Sequence, residues 1–131
     1  MTSLKIDKYM TLAPLSIGSE QSLAKAHQLM REHHIRHLPV LKGGKLLGVV
    51  TERDLHLVET LRDVDAEEVL VEEAMTSEVF TVKKGTLLVD AARAMIEHKY
   101  GSAVVMDGNH VCGIFTTIDA LKALVECQLN K

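Results

Sequence analysis

The feature that most constrains this chain is that it is written twice. Shifted by 65 positions, the sequence overlays itself without a gap. Met10-Thr11 falls on Met75-Thr76, and Leu23, Ala26 and Met30 fall on Leu88, Ala91 and Met95. Val40 and Gly43 match Val105 and Gly108; Gly48, Thr51 and Asp54 match Gly113, Thr116 and Asp119. Residues 6–55 and 71–120 share 12 identities in 50, where chance gives roughly three. Conservative pairs such as Ile6/Val71, Ser16/Thr81, Ile17/Val82 and Val49/Ile114 extend the match. Two copies are too few for an open solenoid, so they are expected to pack on each other. The expected division is residues 1–62 as unit one, 63–70 as linker and 71–131 as unit two.

Each copy reads the same way locally. A short extended stretch at 15–17, matched at 79–82, precedes a helix whose apolar residues, three and four apart, form one stripe: Leu23, Ala26 and Met30, or Leu88, Ala91 and Met95. Ser19 or Ser22 is the expected cap of the first helix and Thr86 of the second. Strands follow at 35–41 and 46–50, joined by Gly43-Gly44, and again at 103–106 and 111–115, joined by Asp107-Gly108-Asn109. Pro39 cannot donate to a ladder, so its strand is expected at an edge or with a bulge. A second helix is expected to start at Thr51 and at Thr116. The acidic stretch 62–73 reads as a solvated linker ending in a turn before Met75.

The composition narrows the function. Apolar residues make up 47% of the 131 residues, enough for a sizeable core, while aromatics are 3% and Trp is absent. With a net charge of -3 and no stacking aromatics to spare, nucleic acid is not the expected partner. No run reaches the ~18 apolar residues of a membrane span, and Met1 to Lys5 lacks the apolar stretch of a signal peptide. Cys112 and Cys127 match neither a metal spacing nor a disulfide framework. A cytoplasmic protein is the expectation.

The most informative motif is Gly48-Val49-Val50-Thr51-Glu52-Arg53-Asp54, echoed by Gly113-Ile114-Phe115-Thr116-Thr117-Ile118-Asp119. A strand ends, a Thr follows, and an acid sits three residues later in a helix's first turn. Thr-x-x-Asp is a capping-box pattern, common in itself. The same geometry suits a ligand: free N–H groups favour phosphate, the Thr hydroxyl can donate to it, and the carboxylate can accept from ribose hydroxyls.

With these residues in place, and with Met10-Thr11, Ile35-Arg36-His37-Leu38-Pro39-Val40, Ala74-Met75-Thr76 and Tyr100-Gly101-Ser102-Ala103-Val104-Val105, the chain resembles a tandem pair of CBS (cystathionine beta-synthase-type) domains over residues 6–121. The resemblance implies an α+β sandwich: two pseudo-symmetric βαββα units packed sheet to sheet, with two clefts for adenosyl ligands such as AMP, ADP, ATP, NAD or S-adenosylmethionine. It assigns Thr51, Asp54, Thr116 and Asp119 to phosphate and ribose. It adds Ser16 and Thr81 from the early stretch, and Ile35, Arg36, His37, Leu38, Pro39, Tyr100, Gly101, Ser102 and Ala103 from the strand lining the base pocket. The second unit has Ile118 where the first has Arg53, and Gly101-Ser102 in place of Arg36-His37, so the clefts are not expected to be used alike.

His33, His34, His37 and His98 do not converge in sequence as metal ligands at i and i+4 of one helix would. The methionines read as core filler and Cys112 as a small hydrophobe. No nucleophile is paired with a base and no phosphate-binding Gly-rich loop is present, so catalysis is not expected. The expected function is a standalone regulatory sensor with no required cofactor, an adenine nucleotide (AMP or ATP foremost) as ligand, a homodimeric assembly, and a separate protein partner in trans. The alternative is a dimerising structural module whose clefts are vestigial.

Overall fold

The computed structural model describes residues 4–12 and 14–129. The chain is mixed α+β and separates into two compact units. One comprises residues 15–79; the other joins the described part of residues 1–14 to residue 80 onward. The sequence repeat and the compact unit are therefore cut differently. The stretch before Met10-Thr11 completes the later unit, and the equivalent stretch before Met75-Thr76 stays with the earlier one.

In the unit of residues 15–79 the order is β2 (Ile17–Gly18), α1 (Leu23–His33), β3 (His37–Lys42), β4 (Lys45–Thr51), α2 (Glu52–Glu59) and α3 (Val71–Ala74). The sheet runs β2-β3-β4, with β2 and β3 parallel and β3 and β4 antiparallel. The other unit opens with a 3-10 turn (Ile6–Lys8) and β1 (Thr11–Leu12), then has β5 (Thr81–Lys83), α4 (Leu88–His98), β6 (Ser102–Asp107), β7 (His110–Thr116) and α5 (Thr117–Leu129). Its sheet runs β1-β7-β6-β5. The βαββα order expected from the repeat is present twice.

The helical stripes are where the spacing puts them. Leu23, Ala26 and Met30 are buried with Ile17, Leu38, Val40, Val50, Leu55 and Val71 in one core. Ala91 and Met95 are buried with Ile6, Met10, Ala103, Val105 and Phe115 in the other, with Leu88 packed against them. Ser22 caps α1, its hydroxyl accepting from the Lys25 N–H at 3.1 Å. Thr86 does not cap α4: the N-cap is Leu87, and the Thr86 hydroxyl donates to the Lys83 carbonyl at 2.6 Å. What α4 has instead is the Leu4 carbonyl, which accepts from the Leu88 N–H at 2.8 Å. The equivalent bond in the first unit runs from the Leu23 N–H to Val69 at 2.9 Å, and Ala66 accepts from Ala24 at 3.0 Å. So the acidic linker keeps its Asp63, Asp65, Glu67 and Glu68 side chains exposed while its backbone closes a helix start.

Both α1 and α4 end in a left-handed residue, His34 (φ 53) and Lys99 (φ 58). The following N–H returns to Met30 or Met95, a helix stop that usually takes Gly. Gly43 and Gly44 both have positive φ in the β3–β4 turn. In the β6–β7 turn Gly108 does, and Asn109 does not.

Of the two settings expected for Pro39, an edge strand or a bulged one, the second is found. Its strand is central, not an edge, and the bulge between Val40 and Leu41 recurs between Val105 and Met106, where there is no proline. The proline's effect is seen one strand over. The Val104 N–H donates to Phe80 at 2.9 Å and β5 starts pairing at Thr81 with Val104. Pro39, with no N–H, leaves β2 to start one step later, at Ile17 with Val40.

Gly48 and Gly113 mark the closest approach of each leading segment. A Cβ on Gly48 would lie 2.6 Å from the Met75 sulfur and 2.6 Å from the Thr76 carbonyl oxygen. On Gly113 it would lie 2.6 Å from the Met10 sulfur and 3.0 Å from the Thr11 oxygen. A flexible Met yields; a carbonyl held in a bridge to β4 (Val49 with Thr76) does not. Gly48→Ala is expected to destabilise by about 1–3 kcal/mol, and Gly113→Ala by less. Urea unfolding measures both, and an unchanged midpoint for Gly48→Ala contradicts the packing described.

Candidate functional site

In each unit one strand–helix junction gathers most of the residues singled out by sequence. β4 ends at Thr51, whose extended backbone (φ -117, ψ 162) makes it the N-cap of α2. The Asp54 N–H donates to Thr51 Oγ1 at 3.2 Å, and the Thr51 N–H donates to Asp54 Oδ2 at 2.9 Å. This is a complete capping box. The later unit repeats it: the Thr116 N–H donates to Asp119 Oδ2 at 2.9 Å and the Asp119 N–H to Thr116 Oγ1 at 3.4 Å. There the Thr116 hydroxyl also donates to Asp119 Oδ2 at 3.2 Å. In both turns Oδ2 is used by the cap, and Oδ1 takes no bond from a described residue.

The preceding strand is brought alongside. His37 pairs with Thr51 in register, and the Glu52 N–H donates to the Arg36 carbonyl at 3.0 Å. Ser102 likewise pairs with Thr116, and the Thr117 N–H donates to Gly101 at 3.2 Å. Leu38 and Ala103 are buried in the two cores with no exposed surface. Pro39 is fully buried, and Ile35 packs against the first core. Ser16 and Thr81 lie across the central strand from their Thr–Asp turns: Ser16 just before β2, Thr81 opening β5.

The two junctions share a backbone and differ in charge. In the first, Arg36 Nε lies 3.6 Å from Glu52 Oε2, and His56 Nε2 lies 3.8 Å from Glu52 Oε1. Arg53 is exposed, with no ion pair among the described residues. In the second, Gly101, Thr117 and Ile118 replace the charged residues, and Tyr100 stands in an aromatic stack. Its ring lies 4.9 Å from Phe80 and 5.2 Å from His98, nearly parallel to each.

Sequence reasoning named Tyr100 but missed its stacking on Phe80 and His98, and named Arg36 and Glu52 but missed their pairing and the part of His56. The i, i+4 spacing of Glu52 and His56 at a helix start was the available signal. Cys112 lies against the second core, where burial, with help from Asp107, pushes its thiol up, the opposite of an activated nucleophile. Among the described residues no three metal-ligating side chains cluster and no helix is long and apolar enough to cross a membrane.

A family profile described as CBS domain matches residues 6–58 and again 71–126. The chain is 30% identical over 105 residues to the CBS domain-containing protein YhcV of Bacillus subtilis, covering 80% of this chain and 74% of that protein. It is 35% identical over 119 residues to a homoserine O-acetyltransferase of Methanocorpusculum labreanum, where it spans 89% of its own length but 23% of that protein. Among solved structures, CBSX2 in complex with AMP superposes with a TM-score of 0.84 at 26% identity, covering 95% of this chain and 99% of that one.

Proposed function

The chain belongs to the CBS domain family, and on that premise we propose that it is a regulatory sensor of an adenosine-containing ligand rather than an enzyme. AMP or ATP is the foremost candidate, ahead of ADP, NAD and S-adenosylmethionine. The observation that carries this reading is the duplicated Thr–Asp turn, in which capping occupies Oδ2 and leaves Oδ1 for ribose hydroxyls at a helix start suited to phosphate. The similarity to CBSX2, crystallised with AMP, supports it. Ile35, Arg36, His37, Tyr100, Gly101 and Ser102 line the base, with the buried Leu38, Pro39 and Ala103 holding the strand beneath it, and Ser16 and Thr81 approach from across that strand. The bound state is passed to a separate protein partner or to self-association.

A nucleotide panel read by thermal unfolding tests this. At a hundredfold excess over Kd the ligand adds about 2.7 kcal/mol, on the order of 10 °C in midpoint for a chain of this size. Asp54→Ala combined with Asp119→Ala, each measured against its own ligand-free baseline, is expected to abolish the shift. Movement of less than about a degree across the panel favours the alternative, an interaction module with vestigial clefts.

We further propose a homodimer. On α5, Ile118, Leu121, Val125 and Leu129 are 53%, 56%, 57% and 78% exposed and line one groove with Lys122 and Glu126. A continuous apolar stripe on the outer face of a helix is unusual for a monomer, and an isologous twofold contact is the commonest way to cover one. Light scattering is expected to show a dimer at micromolar concentration. A monomer up to about 100 µM, where micromolar affinity would be evident, ends the proposal.

A further inference from the structure

The two Thr–Asp turns have the same cap but unequal means of holding an anion. Thr116 gives its hydroxyl hydrogen to Asp119, whereas the Thr51 hydroxyl only accepts, from the Asp54 N–H, and keeps its hydrogen. Arg36 and Arg53 flank the first turn; Gly101 and Ile118 stand at the same places in the second. A guanidinium recognises phosphate by charge-assisted hydrogen bonds, which glycine and isoleucine cannot make. Arg36 is already engaged: Glu52, in the first turn of α2, holds its Nε at 3.6 Å while also facing His56 at 3.8 Å. Both members of that pair are open to water, with side-chain exposures of 77% and 42%, and such surface pairs are weak and exchangeable.

Resting on the sensor reading above, we infer that the Thr51–Asp54 turn is the one that selects a phosphate-bearing ligand. Glu52 is its specificity-determining residue, an internal anion that occupies Arg36 until the ligand phosphate displaces it. The second turn, where the Thr116 hydroxyl is bonded to Asp119 and Gly101 and Ile118 stand in place of the two arginines, discriminates little between a nucleoside and its phosphate. Glu52 does not touch the ligand in this scheme. It acts by competing for the guanidinium, so its removal strengthens phosphate binding and leaves nucleoside binding alone.

Calorimetry with AMP and with adenosine, on the full chain and on Arg36→Ala and Glu52→Gln, tests this. Arg36 is exposed and Glu52 half-buried, and unfolding curves of the variants verify that the fold is kept. Arg36→Ala is expected to weaken AMP by roughly tenfold, and Glu52→Gln to tighten it by about two- to fivefold, the range of an exposed ion pair released. Adenosine should change by less than about twofold in both. An unchanged AMP-to-adenosine ratio in both variants, or weaker AMP binding by Glu52→Gln, overturns the inference while adenosine binding leaves the sensor reading standing. Failure of the full chain to bind either compound removes the sensor reading and this inference together.

Discussion

Each helix that opens a repeat begins with an N–H that needs a partner, and the partner comes from the segment leading into the other repeat. Leu88 donates to Leu4 and Leu23 donates to Val69, at 2.8 and 2.9 Å. The first N–H groups of a helix have no intrahelical acceptor, and leaving them buried and unpaired is costly. The rest of each leading segment follows from that anchor. Ile6 and Val71 enter the two cores, and Met10 and Met75 lie on the glycines of β7 and β4. The exchange explains why a repeat boundary drawn on sequence identity does not coincide with a compact unit.

The same need shapes the functional turns. Thr51 and Thr116 each start a helix and each call on an acid three residues on to close the cap. Capping and ligand binding are often posed as rival explanations of a Thr-x-x-Asp motif. Here the cap fixes one carboxylate oxygen and the backbone, and a carboxylate has acceptor capacity left over. A turn that is rigid before ligand arrives loses less entropy on binding. The cap thus serves as preorganisation for the proposed site.

Much of this was legible in the residues. The helical stripes, the paired hairpins, the Ser22 cap and the start of α2 and α5 follow from local periodicity and turn chemistry, which the repeat doubles. What was not legible depends on backbone partners distant in sequence. Thr86 is a good capping residue by type, but its hydroxyl found Lys83 and the helix start found Leu4. Pro39 reads as a signal of an edge or a bulge, and it sits in a central, bulged strand because the neighbouring strand simply begins a residue later. The linker's charge predicts solvated side chains and says nothing about carbonyls at Ala66 and Val69. At the site, the Thr–Asp pairs and Arg36 were named from the motif. The pairing of Glu52 with Arg36, and the parts of His56, Phe80 and His98, were missed because each matters through the neighbour it touches.

The central claim is that one Thr–Asp turn both closes a helix and holds a ligand. The most direct measurement is a crystal structure of the full chain grown with saturating AMP. The account predicts ribose hydroxyls on Asp54 Oδ1 while the Thr51 N–H remains on Oδ2, with phosphate near the Thr51 hydroxyl and Arg36. AMP bound away from both Thr–Asp turns, or a capping box broken to admit it, would contradict that claim.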